Sequence, residues 1–151
     1  MLLAYRLVKL IETHSDELAA GLIEKLRHDP KTCHYGAEPS QEFAEKVTEV
    51  YQHLGEWLLG RTEGDIERRY IEIGQRRRAQ GVELSQLICA INLVKTHLLE
   101  FLKNENVVQQ PVELLGEIEV LELLERFFDR AIYYAAVGYE RSGKAQCASA
   151  C

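Results

Sequence analysis

The chain has 151 residues, with 18 Lys and Arg against 24 Asp and Glu, a formal charge of −6. Its 46% hydrophobic content excludes intrinsic disorder, and its 10 Gly and 3 Pro are too few for an all-β protein. No apolar run is long enough to span a membrane, and the net acidity argues against general nucleic-acid binding. The four cysteines, Cys33, Cys89, Cys147 and Cys151, form no disulfide framework pattern. We therefore expect one cytoplasmic domain without membrane or nucleic-acid partners.

Apolar residues recur at helical spacing along almost the whole chain, and no alternating pattern competes for a strand. The predicted helices cover residues 2–13, 15–28, 40–58, 62–80, 84–103 and 111–141. Thr62 is predicted to cap the fourth helix, and residues 142–151 are predicted to form a flexible tail. The fold class is therefore all-α: a bundle of about six helices with a long C-terminal helix, forming a single domain over residues 1–141.

The last predicted helix is apolar on two sides. One stripe comprises Leu114, Ile118, Leu121, Glu125, Phe128, Ile132 and Ala135, and the second comprises Val120, Leu124, Phe127, Ala131, Tyr134 and Gly138. A helix that packs on one core needs a single apolar stripe, so the excess predicts either central burial alone or burial combined with dimerisation. Candidates for the interface of a homodimer are Leu124, Phe127 and Tyr134.

The sequence contains no motif typical of catalysis or of metal binding. No nucleophile elbow and no phosphate-binding loop is present, which predicts a protein that is not an enzyme. His28, Cys33 and His34 lie within seven residues, but structural zinc usually needs four ligands and this cluster lacks a convincing fourth. We therefore expect no metal site.

Five arginines concentrate on the fourth predicted helix, namely Arg68, Arg69, Arg76, Arg77 and Arg78. Their spacing from nearby glutamates favours intrahelical ion pairs on a solvated face. The alternative is a site for an anion or a partner, because the guanidinium fork suits carboxylate and phosphate groups. Both interpretations stay open at this point.

Two segments are more specific than the composition. Residues 73–94 read IGQRRRAQGVELSQLICAINLV, and residues 126–140 read RFFDRAIYYAAVGYE. Together with the loop-to-helix pattern of residues 28–57, they resemble the N-terminal sensor domain of the RsbR/RsbRD stressosome proteins, over about residues 5–141. The resemblance implies a globin-like, non-enzymatic sensory domain in a stress response, with a signalling partner in trans or fused in relatives. Because no output domain follows before Cys151, we expect an isolated sensor or a truncated product of a longer gene.

The same resemblance invites comparison with haem sensor globins, which have a pattern similar to I-G-x-x-H-x-x-x-G at the proximal ligand. This chain has Ile73, Gly74 and Gly81, but Arg77 stands in place of the histidine. A protonated guanidinium has no lone pair to donate to iron, so the resemblance implies a sensor without haem or another cofactor.

Five residues are candidates for a pocket that receives a ligand or signal, and they are His53, Trp57, Tyr70, Arg77 and His97. They lie on the third, fourth and fifth predicted helices. The alternative function is a haem-binding sensor globin in which His53 or His97 supplies a non-standard axial ligand, since haem needs only one good one.

Overall fold

A computed structural model describes the backbone of residues 2–31, 41–104 and 111–150, and the side chains of residues 6–31, 45, 47–104 and 118–143. Within these ranges every regular element is a helix and no strand occurs, which confirms the predicted all-α class. The described helices are α1 (Leu2–Thr13), α2 (Ser15–His28), α3 (Gln41–Gln52), α4 (Glu63–Ala79), α5 (Leu84–Asn104) and α6 (Pro111–Ala150), with a π-helical turn at Glu56–Gly60. None of the described helices is long and apolar enough to cross a membrane.

The third predicted helix was expected to run without a break to Leu58, and this expectation is wrong. Helix α3 ends at Gln52 and is followed by a turn at His53. The π-helical turn that comes next is wider than an α-helical turn, and the amide of Arg61 donates to the carbonyl of Glu56, five residues earlier, at 2.8 Å. At Gly55 the backbone approaches α1 so closely that a Cβ would lie 3.1 Å from a methyl of Val8. Apolar spacing reports which side is buried, but it does not report this contact with α1.

Helix α4 begins as predicted. The Thr62 hydroxyl accepts a hydrogen bond from the amide of Asp65 at 3.2 Å, and the Asp65 carboxylate accepts one from the amide of Thr62 at 3.0 Å. This reciprocal capping box satisfies amides that have no partner inside the helix. The same hydrogen bonds keep the pKa of Asp65 below its usual value.

The C-terminal helix α6 is the central element of the bundle, with 40 residues and contacts to α1, α4 and α5. Members of both predicted stripes are buried within the chain, namely Val120, Leu124, Phe127, Phe128, Ala131 and Ala135. The helix does not end near Arg141 but continues to Ala150, and Gly143 is buried against Arg78. Residues 142–150 are therefore helical.

Helices α4 and α6 make the most extensive contact in the bundle, and glycines bring their backbones together. A Cβ on Gly74 would overlap the carbonyl oxygen of Ala135 and lie 2.8 Å from the amide nitrogen of Tyr139. A Cβ on Gly138 would overlap the carbonyl oxygen of Ile71 in the same way. Because the obstructing atoms belong to the backbone, the two helices can lie this close only with glycine at both positions.

The remaining helices close the bundle on the other side of α6. Ile11 of α1, Leu22 of α2 and Leu98 of α5 are completely buried in the common core. Tyr51 of α3 is buried as well, and its hydroxyl donates to the carbonyl of Val94 on α5 at 3.3 Å. Burial raises the pKa of Tyr51, so the phenol stays protonated and keeps this link between α3 and α5.

Candidate functional site

Helix α4 presents two different faces. One is buried against α6 and includes Ile66, Tyr70 and Gly74. The other carries Arg69, Glu72, Ile73, Arg76 and Arg77, at the i, i+3, i+4, i+7, i+8 spacing of a single helical stripe. Such a stripe is normally apolar when it faces other helices. Here it contains three guanidinium groups, and it faces a cleft.

The cleft lies between α3, α4 and α5 and has a volume of about 360 Å³. This is within the usual size range of small-molecule sites. Four of the described lining residues are aliphatic, and we call them the floor of the cleft: Val47, Val50, Ile73 and Val94. The other described lining residues are charged: Glu49, Arg69, Glu72, Arg76 and Arg77. All four floor residues are half-buried, because few contacts join α4 to α5 across this space.

The charged groups of the cleft are partly paired with one another. The Arg76 guanidinium lies 3.0 Å from the Glu72 carboxylate, whereas that of Arg69 lies 4.0 Å from Glu49. Arg77 donates a hydrogen bond to the side-chain amide of Gln80 at 2.7 Å. The described lining residues include three arginines and two glutamates. The guanidinium groups suit an anion.

Two residues of the predicted pocket, Trp57 and Tyr70, lie together, but they belong to an aromatic cluster beside the cleft. Their ring centroids are 6.4 Å apart, and that of Phe127 on α6 lies 5.8 Å from Tyr70. Burial raises the pKa of Tyr70 to about 12. Arg69 connects the cluster to the cleft, because its guanidinium lies 5.5 Å from the centre of the Trp57 ring.

The two predicted histidines lie away from the described lining of the cleft. His53 is half-exposed, and its Nδ1 lies 3.5 Å from the Glu56 carboxylate. His97 faces α2, where its Nε2–H donates to the carbonyl of Leu18 at 3.0 Å and its ring packs against Gly21. Of the five predicted residues, only Arg77 lines the cleft.

The environment of His97 opposes a positive charge. Its Nδ1 is buried and has no hydrogen-bond partner among the described residues. Burial lowers the pKa of His97, and nearby Lys25 lowers it further, although the hydrogen bond to Leu18 and the charge of Glu100 act in the opposite direction. Lys25 and Glu100 form an ion pair across α2 and α5, which holds the pKa of Glu100 below its usual value. His97 is therefore neutral at pH 7.

We expect the free energy of unfolding to decrease as the pH falls below about 6.5, and His97→Gln to weaken this dependence. The unfolded histidine, with a pKa of about 6.5, binds a proton before the folded one does, so acid favours the unfolded chain; above that pH the contribution of His97 is constant. Urea titrations between about pH 7.5 and about pH 5.5 measure it. His53→Gln is the matched control, since that side chain is half-exposed. An undiminished pH dependence in the His97→Gln variant would contradict the expectation.

Two of the three candidates for a dimer interface face the interior of the chain, and the third, Tyr134, is partly buried. Leu124 and Phe127 are 0% exposed, so a second copy cannot contact them in this conformation. The Tyr134 hydroxyl donates to the Glu63 carboxylate at 2.6 Å, and Arg130 binds the same carboxylate at 2.6 Å. These two hydrogen bonds lower the pKa of Glu63 and fasten the start of α4 to α6.

The residues of the cleft do not fit a haem group. None of its described lining residues is a histidine, cysteine, methionine or tyrosine, and Arg77 has no lone pair for iron. His97 already uses Nε2 in its bond to Leu18. The part of the chain with described side chains contains no cluster of metal-binding residues either, while Cys33 and His34 of the predicted loop lie outside that part.

Two features of this site were missed by the sequence reasoning. The valines of the cleft floor have the same helical spacing as core residues, so nothing in the sequence distinguishes them from a closed core. The approach of Gly74 to Ala135 and of Gly138 to Ile71 could not be predicted, because it depends on how α4 and α6 cross. A usable signal was present in the spacing of Arg69, Arg76 and Arg77, which places the three guanidinium groups on one side of α4.

The described residues form an all-helical bundle with a charged cleft, which is compatible with a binding or regulatory domain. Comparison with known families gives a narrower answer: residues 16–146 match the family described as the RsbT co-antagonist protein rsbRD N-terminal domain. The chain belongs to this family, which confirms the resemblance found in residues 73–94 and 126–140. Domains of this family are regulatory and in general non-catalytic. No curated protein and no solved structure matched the chain.

Proposed function

We propose that this chain is a non-enzymatic input domain that receives a signal in the cleft and passes it along α6 to a partner or an output module. The observation that carries the proposal is the double role of α4. One face of this helix lines the cleft, and the opposite contact, at Gly74, joins the backbone of α6 directly.

The packing of α4 explains how such a signal would travel. A ligand shifts a conformational equilibrium only if it binds one state more tightly than the other, and occupation of the cleft would favour one position of α4. Side chains can absorb small shifts by changing rotamer, but the backbone contact of Gly74 with α6 cannot. A displacement of α4 is therefore passed to α6, which at 40 residues is about 60 Å long.

Dimerisation belongs to the same proposal, but through a different side of α6 from the one predicted. Tyr133 is 64% exposed and Ile118 is 44% exposed, and both are large apolar side chains on the outer side of this helix. We place the seam of a homodimer there. Sedimentation at tens of micromolar tests it, and a monomer under these conditions would remove dimerisation from the proposal.

The family description suggests the partner, because a co-antagonist of RsbT acts within a signalling complex. We expect a chimera, in which this chain replaces the corresponding domain of an RsbT co-antagonist, to retain stimulus-dependent control of a stress reporter. The same chimera with Gly138→Ala, which separates α4 from α6, should lose the response while still accumulating in the cell. A chimera whose reporter does not respond to any stimulus would argue against the function.

A further inference from the structure

We propose that the cleft between α3, α4 and α5 binds a small amphipathic carboxylate, a molecule with one carboxylate group on a short apolar body. The inference deepens the proposed function, on which it rests for the role of the cleft as the place where the signal is received. It adds the chemical class of the ligand.

The aliphatic floor requires an apolar body. Val47 and Val50 of α3, Ile73 of α4 and Val94 of α5 converge on the cleft from three helices and are only half-buried. Covering the rest of these side chains removes apolar surface from water, which is favourable in proportion to the area covered. An inorganic anion has no apolar part and would leave that surface exposed to water.

The three arginines that line the cleft, which we call the arginine stripe, favour a ligand with a negative head group. Arg69, Arg76 and Arg77 project from successive turns of one side of α4 into the same space. The separation of 4.0 Å between Arg69 and Glu49 is at the limit of an ion pair, so a ligand carboxylate can compete for that guanidinium. The planar fork of arginine binds a carboxylate through two parallel hydrogen bonds.

The size of the cleft narrows the class further. A volume of about 360 Å³ holds a small molecule and is too small for a folded protein segment. A short alkyl carboxylate has an apolar body that covers the floor and a head group that binds the arginine stripe, and it fits the volume of the cleft.

Titration of the full chain with octanoate tests the inference, with the unfolding temperature and calorimetry as readouts. Octanoate should raise the unfolding temperature, since a ligand that binds only the folded state stabilises it. Octanol has the same body without the charge, acetate has the charge without the body, and octyltrimethylammonium has the opposite charge. Each should bind at least about tenfold more weakly, the loss expected when one charged hydrogen-bonding group or most of the apolar contact is missing.

Variants locate the binding. The double variant Arg69→Gln with Arg76→Gln should weaken octanoate binding about tenfold or more. Arg68→Gln should leave it unchanged; this residue is highly exposed, is paired with Asp65 at 3.0 Å and does not line the cleft. Ile73→Phe fills the floor and should abolish binding of octanoate even with all arginines present. Urea unfolding of each variant verifies that it is folded.

Three results would overturn the inference: no binding of octanoate, equal binding of octanol or octyltrimethylammonium, or full affinity in the double arginine variant. These results are separable from those of the chimera. If the chimera responds to a stimulus while octanoate fails to bind, the ligand class is wrong and the input function stands. If octanoate binds in the cleft but the chimera is silent, the site is present and the function is wrong.

Discussion

Replacing Gly74 by alanine should lower the free energy of unfolding by about 3 kcal/mol, at the upper end of the usual range for overpacking. The new Cβ would overlap the carbonyl oxygen of Ala135 on α6. Relief requires the two backbones to separate, and this would loosen the packing along the whole contact between α4 and α6. Gly138→Ala meets the carbonyl of Ile71 and should have an effect of similar size. Urea unfolding of both variants measures the change.

A matched control is available on the same helix. Gly64 lies in the first turn of α4, is exposed, and has only the Thr62 hydroxyl within 4 Å of a Cβ, at 3.8 Å. Gly64→Ala should therefore raise the free energy of unfolding by about 0.5 kcal/mol, because alanine restricts the unfolded chain and favours the helix. If Gly74→Ala were as harmless as Gly64→Ala, the close crossing of α4 and α6 would be wrong.

Truncation of Phe127 to alanine should lower the free energy of unfolding by about 3–5 kcal/mol, the usual range for a buried phenylalanine. This side chain is 0% exposed, and its ring contacts those of Trp57, Tyr70 and Phe128. The cavity would open where α4, α6 and the π-helical turn meet. Because this loss is a large part of the stability of a typical domain, Phe127→Leu serves as a milder version with the same direction.

Tyr133→Lys provides the comparison on the outer side of the same helix. Tyr133 is 64% exposed, so its replacement should change the free energy of unfolding by no more than about 0.5 kcal/mol. In sedimentation it should shift a dimer towards monomer, since a lysine at the proposed seam places a charge in an apolar contact. Phe127→Leu should have the opposite profile, with reduced stability and unchanged association. A Phe127 variant of normal stability would contradict the burial described for this residue.

The helical class and most helix positions could be predicted because apolar spacing reports directly which side of a helix is buried. The N-terminus of α4 could be predicted as well, since Thr62 and Asp65 have the spacing of a capping box. The break after α3 could not be predicted, because the apolar spacing continues through Leu54, Trp57 and Leu58. The end of α6 was placed too early, near Arg141. In the structure Gly143 provides space for the guanidinium of Arg78.

The candidate site was harder to predict than the fold. Trp57 and Tyr70 lie close together, but spacing alone could not separate residues that fill the core from residues that line an opening in it. His97 illustrates the difficulty, because it lies at helical spacing from Val94 of the cleft, yet its ring points towards α2. Which side chain faces which neighbour is decided by the crossing of helices, and no single-helix pattern contains that information.

The two faces of α4 also limit how the sequence of this helix can change in length. Successive residues of an α-helix are rotated by about 100°, so one residue inserted between Arg69 and Gly74 would turn Arg69 relative to Gly74 and to the two arginines that follow it. Either the cleft or the crossing with α6 would then be lost. Insertions and deletions among related sequences should therefore fall in the connections between helices, whereas the length of α4 between these two positions should be invariant.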